Sequence, residues 1–199
     1  MPWRSAPGKL ANPYHVWISE IMLQQTTVIT VKSYFERFLS RWPHIDILAN
    51  APLDDVLHAW QGLGYYARAR NLHKCANIIK SEFGGCFPEN EEDLMKLPGI
   101  GSYTAAAISA IAFGKKATPV DGNIERVVTR LFAIKEPIPK SKKKLKKLAY
   151  SMTPEVRAGD FAQSLMDIGA TICTPIKPMC DICPLTGECK AEDENIAGV

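Results

Sequence analysis

The stretch "LPGIGSYTA" (Leu97–Ala105) joins two predicted helices through a tight turn that contains one proline and two glycines. Pro98 and Gly99 end the first helix, because proline lacks a backbone donor and glycine accepts backbone angles that other residues avoid. We expect Gly101 to adopt such an unusual angle and a new helix to begin at about Ser102. Such a turn exposes backbone N–H groups that suit a phosphate oxygen, although an ordinary helix–helix turn has the same composition.

The segments on both sides of this turn show helical periodicity, and few stretches alternate as strands do. Asn12-Pro13 has the composition of a helix cap and first turn, and it predicts a helix that extends to about Leu23. Further helices are predicted at about 28–39 and 53–60, within 62–85, 90–114, 120–134 and 140–152, and at 160–173. The pattern therefore predicts an all-α protein in two lobes.

The composition of the 199-residue chain is that of a folded soluble protein, with a formal net charge of +3. This mild basic bias is compatible with nucleic-acid binding but does not establish it. No apolar run is long enough for a membrane span, and the first residues lack the apolar segment of a signal peptide. We therefore expect a cytoplasmic, nucleoid-associated protein and no membrane partner.

A carboxylate interrupts the apolar stretch "VWISEIMLQQT" (Val16–Thr26) at Glu20. An ionised carboxyl group among large hydrophobic side chains is costly unless it is paired, hydrogen-bonded or protonated. Glu20 is therefore a candidate for chemistry that needs a proton held at neutral pH.

Asp121, in "PVDGNIERVV" (Pro119–Val128), comes immediately before a predicted helix. The simplest interpretation is a helix N-cap. An aspartate at a helix start is also kept ionised by the helix dipole and the backbone amides. The structural role is thus compatible with a residue that must stay negative beside a developing positive charge.

Four cysteines near the C-terminus have the spacing C-x6-C-x2-C-x5-C, and they are Cys173, Cys180, Cys183 and Cys189. Four thiolates can hold either zinc or a 4Fe–4S cluster. A structural zinc ribbon more often has two C-x2-C pairs, whereas only one pair is that tight here, which favours the cluster.

Several polar and aromatic side chains are candidates for contact with DNA. Gln24 and Gln25 end the first predicted helix, and Tyr65 and Tyr66 precede a basic helix. Side chains of these types can enter a base stack or fill the space left by an extruded base, although surface amides and half-buried aromatic residues are common. The lysine run 140–147 is either a solvated helix face or a further contact with DNA.

Taken together and in order, "PWR", "SEIMLQQT", "GLGYYARARNL", "LPGIGSYTA", "VDGNIERV" and the four cysteines resemble the catalytic part of the MutY family of adenine DNA glycosylases. The turn at residues 97–105 resembles the helix-hairpin-helix element of DNA repair proteins. Endonuclease III shares the hairpin, the aspartate and the cysteines with this family but not "SEIMLQQT" or "GLGYYARARN".

The resemblance implies a fold of two helical lobes on either side of a DNA cleft. Residues 12–115 would form a six-helix barrel lobe with the helix-hairpin-helix, and residues 116–199 would form a lobe that carries one 4Fe–4S cluster. Residues 1–11 would be a leader that belongs with the cluster lobe. The family carries a further C-terminal domain that reads 8-oxoguanine. We expect this domain to be absent, because the sequence stops soon after Cys189.

The resemblance further implies a monofunctional glycosylase of base excision repair that removes adenine mispaired with 8-oxoguanine or guanine from double-stranded DNA. Glu20 would protonate N7 of a flipped adenine, and Asp121 would stabilise the oxocarbenium ion, with Asn123 orienting the carboxylates. Tyr103 stands where bifunctional relatives carry a lysine that forms a Schiff base, so base removal without strand cleavage is expected. We expect the protein to be a monomer.

Other positions take their expected roles from the same resemblance. Gln25 and Tyr65 match the family's intercalating positions, and Gly99 and Gly101 belong to the hairpin that grips a DNA strand. The remaining substrate-binding candidates are Trp3, Arg4, Leu23, Gln24 and Gln163. The alternatives are a related glycosylase with strand-cleaving activity on another base, and a DNA-binding module without catalysis whose metal cluster is structural.

Overall fold

The protein is built from helices joined by short loops, and a computed structural model describes it over residues 1–198, except for the side chains of residues 138 and 139. This described part contains no β-strand, so the all-α prediction is confirmed. The helices are α1 Pro13–Leu23, α2 Val28–Arg41, α3 Ile45–Ala49, α4 Leu53–Ala59, α5 Ala67–Phe83, α6 Glu91–Leu94, α7 Ser102–Phe113, α8 Gly122–Leu131, α9 Ile138–Met152, α10 Ala158–Thr171 and α11 Lys190–Asp193. Within residues 1–198, no helix combines the length and the apolar character needed to cross a membrane.

The first helix begins and ends where the sequence predicts. The Asn12 side chain accepts hydrogen bonds from the backbone N–H groups of Tyr14 and His15, at 2.9 and 3.4 Å, and Pro13 occupies the first helical position. Two short helices were not predicted, α3 and α11. A helix of four or five residues is too short to display a full apolar period by itself, and α6 was predicted only as part of the longer stretch 90–114.

The turn between α6 and α7 places its unusual backbone angle at a different glycine from the one predicted. Gly99 has a left-handed φ of +79°, whereas Gly101 has φ −91° and ψ 177°, which is extended backbone. The expectation for Gly101 was therefore wrong, because it is the N-cap of α7 and not the residue that reverses the chain. A Cβ atom built on Gly101 would meet nothing within 4 Å, which leaves open space in front of the helix.

The larger hydrophobic core, the N-terminal cluster, comprises most of the buried apolar side chains between Trp3 and Ala112. It packs α1 between α2, α5 and α7. The smaller core, the C-terminal cluster, lies among α8, α9 and α10 and consists of Ile124, Val127, Val128, Leu145, Ala149 and Leu165. Because α10 contacts both α7 and α8, it joins the two clusters.

Two glycines of α10 set how closely it approaches its neighbours. A Cβ atom built on Gly159 would lie 2.6 Å from the Ala110 carbonyl oxygen of α7. A Cβ atom built on Gly169 would lie 2.6 Å from the Asn123 Cβ of α8. The helices are therefore closer together at both points than any larger side chain would allow.

Residues 1–11 contact both parts of the molecule. Trp3 belongs to the N-terminal cluster, where its ring packs edge-on against Phe35 at 5.4 Å between centroids. The Gly8 N–H donates to Asp160 of α10 at 2.8 Å. The leader thus spans the two clusters, and the lobe boundaries 1–11, 12–115 and 116–199 remain predictions.

Candidate active site

A cavity of about 620 Å³ lies between the leader, α1, α7, α8 and α10. This volume is in the range of sites that hold a small molecule or a single base. Ten of the predicted site residues line it, namely Trp3, Arg4, Glu20, Leu23, Gln24, Gln25, Tyr103, Asp121, Asn123 and Gln163. The fold thus brings together residues that are up to 160 positions apart in the chain.

Glu20 lies on α1 and is only 7% exposed, although it lines the cavity. Burial raises the pKa of this carboxyl group from 4.5 to about 7, and the negative charge of Asp121 acts in the same direction. A hydrogen bond from Tyr103 and the positive charge of Arg4 oppose that shift. Glu20 can therefore hold a proton at neutral pH and release it into the cavity.

Tyr103 is the second residue of α7 and lies beside Glu20. Burial, and next the charge of Glu20, raises the pKa of Tyr103 well above its ordinary value. Its hydroxyl group therefore keeps its proton and donates it in the hydrogen bond to Glu20. This contact fixes the direction of the carboxyl group.

Asp121 is the N-cap of α8, and its carboxylate has two structural partners. One oxygen accepts from the Ile124 backbone N–H at 2.8 Å, and the other accepts from the Asn123 side-chain amide at 3.0 Å. The aspartate is therefore held in one orientation by its own helix. The sequence-based N-cap role is confirmed.

Arg126 connects Asn123 to the segment that contains the cysteines. Its guanidinium group donates to the Asn123 Oδ1 atom at 2.8 Å, to the Gly169 carbonyl at 2.6 Å and to the Cys173 carbonyl at 2.7 Å. A continuous series of hydrogen bonds thus leads from the backbone of Cys173 to Asp121. Sequence analysis did not identify Arg126, since no local pattern marks its role.

Elsewhere in the cavity wall, Arg4 forms a bidentate ion pair with Asp167 of α10, with N–O distances of 2.5 and 2.7 Å. Both residues line the cavity, and only Arg4 was predicted. The pair holds the leader against α10 and so closes one side of the cavity. Because 163 positions separate the partners, no local signal predicts the contact.

The other predicted cavity residues have structural contacts of their own. The Gln24 side-chain amide lies 3.5 Å from the Thr104 hydroxyl group, and the Gln163 amide donates to the Gly159 carbonyl at 3.1 Å. Leu23 is partly buried against the N-terminal cluster. These three residues form part of the cavity wall and carry no ionisable group.

Three of the predicted catalytic and substrate-binding residues lie outside the cavity lining, and they are Tyr65, Gly99 and Gly101. Tyr65 is 68% exposed, and Gln25, which does line the cavity, is also exposed. Further lining residues that the sequence did not reveal are Ser19, Thr26, Thr27, Ile111, Met166 and Asp167. Ser19, Thr26 and Thr27 carry a sequence signal, because Ser19 directly precedes Glu20 and the two threonines directly follow Gln24 and Gln25.

The four C-terminal cysteines line one small cavity of about 20 Å³. All four thiols are free, and burial, followed by the charges of Glu192 and the other three cysteines, raises the pKa of Cys180. Arg130 donates to the Cys173 sulfur at 3.3 Å and to the Thr174 carbonyl at 2.7 Å. Four converging thiols with a cationic donor suit a negatively charged iron–sulfur group.

The thiols do not form a finished site. In residues 1–198, no three His, Cys, Asp or Glu side chains stand in an arrangement ready to hold a metal ion. The segment 173–189 contains one turn of 3₁₀-helix, Cys180–Ile182. The residue types and their convergence on one small cavity fit a cluster, and binding it would require the thiols to move from their present positions.

Comparison with known proteins gives the class. Residues 18–154 match the HhH-GPD superfamily of base excision DNA repair proteins, and the chain belongs to that superfamily. The adenine DNA glycosylase of Buchnera aphidicola subsp. Baizongia pistaciae is 47% identical over 191 residues, which are 96% of this chain and 53% of that protein. The chain thus spans about half the length of this curated relative.

Solved structures show the same fold. A thermostable thymine-DNA glycosylase superposes with a TM-score of 0.86 at 32% identity, over 98% of this chain and 88% of that one. An endonuclease III in complex with DNA superposes with a TM-score of 0.79 at 24% identity, over 98% and 91% of the two chains. The second comparison supports the fold alone.

Proposed function

We propose that the chain hydrolyses the N-glycosidic bond of adenine mispaired with 8-oxoguanine or guanine in duplex DNA. The observation that carries this proposal is Glu20, a buried carboxyl group with a pKa raised to about 7 that shares a cavity with Asp121. The 47% identity to an adenine DNA glycosylase over 96% of the chain supports adenine as the base.

Glu20 acts as the general acid in this proposal. A flipped adenine in the cavity accepts the Glu20 proton at N7, which turns the base into a good leaving group. The bond between C1′ of the sugar and N9 of the base then breaks, and its electron pair leaves with the base. The Tyr103 hydroxyl group orients the acid during this step.

Asp121 stabilises the sugar that is left behind. Its carboxylate, fixed by the N-cap contact and by Asn123, faces the oxocarbenium ion as a counter-charge or captures it for a short time. Water then adds at C1′ and loses its proton to the ionised Glu20. This is close to the two-carboxylate chemistry of retaining glycosidases.

DNA would be held in two ways. The N-terminus of α7 has no side-chain cap, and the open space at Gly101 lets a phosphate oxygen approach its backbone N–H groups. The exposed side chains of Gln25 and Tyr65 would enter the base stack as the adenine leaves it. The described contacts of α7 to α1 and α10 keep this hairpin in a fixed position relative to Glu20.

The four cysteines would hold a 4Fe–4S cluster, which would link the two ends of residues 173–189 to each other. The convergence of the four thiols and the Arg130 contact support this assignment. Anaerobically purified protein should be brown and contain about four iron and four sulfide ions per chain. Colourless protein with one zinc ion would keep the metal site and reject the cluster.

One assay tests the proposed activity. Duplexes with adenine opposite 8-oxoguanine, adenine opposite guanine, or thymine opposite guanine are incubated with the protein and heated in alkali. We expect strand breaks at adenine only, and breaks only at thymine would instead support the activity named for the similar thermostable structure. The mispair preference, the monomeric state and nucleoid association remain predictions.

A further inference from the structure

The Arg68 side chain, near the start of α5, donates hydrogen bonds to five backbone carbonyl oxygens. One terminal nitrogen of its guanidinium group donates to the carbonyl oxygens of Ile21 and Met22, both at 3.0 Å, and to that of Gln24. The other terminal nitrogen donates to the carbonyls of Leu63 and Gly64, at 2.8 and 3.2 Å. A single side chain of α5 therefore binds two separate backbone segments.

The first of these segments is the end of α1, the helix that carries Glu20. The last carbonyls of a helix have no partner within it, and the last turn of α1 contains no basic residue of its own. Arg68 supplies both the missing donors and a positive charge at the negative end of the helix dipole. The second segment is the turn before α5, where the Trp60 indole also donates to Gly64, at 3.1 Å.

Each segment is followed at once by a strained residue with an exposed side chain. Gln25 follows the Arg68-bound carbonyl of Gln24 and has φ +59°, and Tyr65 follows that of Gly64 and has φ +48°. Left-handed angles at residues other than glycine are energetically costly and persist only where the surroundings impose them. Both strained residues are those proposed to enter the base stack.

We infer that Arg68 is a positioning residue that holds Gln25 and Tyr65 together as one rigid wedge for opening duplex DNA. This inference rests on the proposed function and adds to it the residue that orients the wedge. Arg68 does not line the cavity that would hold the flipped base, so it would act through the backbone that precedes each wedge residue. The Arg68 guanidinium group also lies 5.8 Å from the centre of the Tyr65 ring, which supports the aromatic side chain directly.

Only arginine can fill this role. Its planar fork presents donors to two sides at once, whereas a lysine has one nitrogen at the end of a flexible stem. The Arg68 Nε atom is buried without a hydrogen-bond partner, so the two terminal nitrogens carry all the contacts. Replacement by lysine keeps the charge and removes the bridge between the segments.

The first experiment compares Arg68→Lys with Arg70→Lys, a matched change at an exposed arginine on the same helix. Single-turnover adenine release is measured on duplex with adenine opposite 8-oxoguanine, and on the same duplex with an abasic spacer opposite the adenine. Opening a paired stack is energetically costly, so we expect Arg68→Lys to lose on the order of tenfold to a hundredfold with the paired substrate. With the unpaired substrate the loss should stay below about threefold, and Arg70→Lys should match the wild type on both.

A second measurement is independent of base release. With 2-aminopurine at the target position, fluorescence should rise when wild-type protein extrudes the base and should rise much less with Arg68→Lys. If the wild type extrudes the base but never releases adenine, the proposed chemistry fails while the inference about Arg68 stands. If the wild type extrudes nothing, the inference fails as well.

Three results would overturn the inference. Equal losses of Arg68→Lys on both substrates would mean that Arg68 supports the catalytic helix and not the wedge. An added loss of more than about twofold in a Gln25→Ala/Tyr65→Ala background would show that Arg68 does not act through those residues. Global unfolding of both Arg68→Lys and Arg68→Gln, seen by circular dichroism, would assign Arg68 to general stability.

Discussion

At the scale of single residues, the feature that matters most is the protonated carboxyl group of Glu20. Glu20→Gln removes the proton donor and keeps the shape of the side chain, so it should abolish catalysis. We expect adenine release to fall by up to about ten-thousandfold, the upper end for loss of a general acid, while duplex binding stays within a few-fold of wild type. Single-turnover kinetics and a binding titration check this, and unchanged turnover would remove Glu20 from the mechanism.

The raised pKa of Glu20 also predicts how stability depends on pH. Between pH 4.5 and about 7 the folded protein holds this proton and the unfolded chain has lost it, so the free energy of unfolding falls as pH rises. Glu20→Gln does not titrate, and it should therefore be more stable than the wild type at pH 8, by up to about 3 kcal/mol, and similar at pH 4. Denaturant unfolding at both pH values measures the difference, and a constant difference across pH would contradict the assignment.

At the scale of secondary-structure elements, Asp121 caps α8 and has a proposed catalytic role, and one substitution can separate the two. Asparagine caps a helix as well as aspartate does, so Asp121→Asn should keep the thermal stability and lose most of the activity with the charge. Asp121→Ala removes cap and charge together and should cost about 1 kcal/mol of stability in addition. Thermal denaturation and adenine release of the two variants test this, and an active Asp121→Asn would limit the residue to capping.

We expect the residue at position 103, at the start of α7, to determine whether the DNA strand is cut. Tyr103 brings no amine to the cavity, so the wild type should leave abasic DNA intact until alkali is added, and borohydride should trap little covalent complex. Tyr103→Lys should gain strand cleavage and trapping, with some loss of adenine release because the hydroxyl contact to Glu20 is gone. Efficient trapping by the wild type, without an increase in the variant, would show that another amine attacks the sugar.

Local chemistry explains which elements the sequence predicts. Asn12 and Pro13 act within one turn of the helix that they start, and Asp121 caps the helix that follows it, so both roles are visible in a few letters. The contact of Arg4 with Asp167 and the carbonyl contacts of Arg68 depend on the tertiary fold. Either glycine could adopt a left-handed angle. The structure places it at Gly99, because Gly101 is the N-cap of α7 and has extended backbone.

At the scale of the whole molecule, the two hydrophobic clusters differ in how much apolar surface supports them. The C-terminal cluster is small, and the loops of residues 173–189 bring little buried apolar surface to it. A small core commonly needs a metal or a covalent link to be stable. Loss of the proposed iron–sulfur group should therefore loosen α8 to α10 and leave the N-terminal cluster folded.

Proteolysis can measure this difference. After oxidative removal of iron, we expect cleavage first within residues 173–189 and then at the ends of α9 and α10, while fragments from residues 12–113 persist. Cys183→Ser should behave as the iron-depleted wild type, and Cys86→Ser should serve as the control because that thiol is exposed and lies outside residues 173–189. Simultaneous loss of both halves would show that one cooperative unit includes both clusters.

The glycines at 159 and 169 have a consequence for how this chain tolerates variation. Helix propensity alone ranks alanine above glycine inside a helix by about 1 kcal/mol, so a statistical or consensus-based redesign of α10 would replace both. At these two points the neighbouring backbone occupies the volume that the added methyl group needs. In a library that samples every substitution along α10, we therefore expect Gly159 and Gly169 to tolerate substitution least, and less than the charged residues between them.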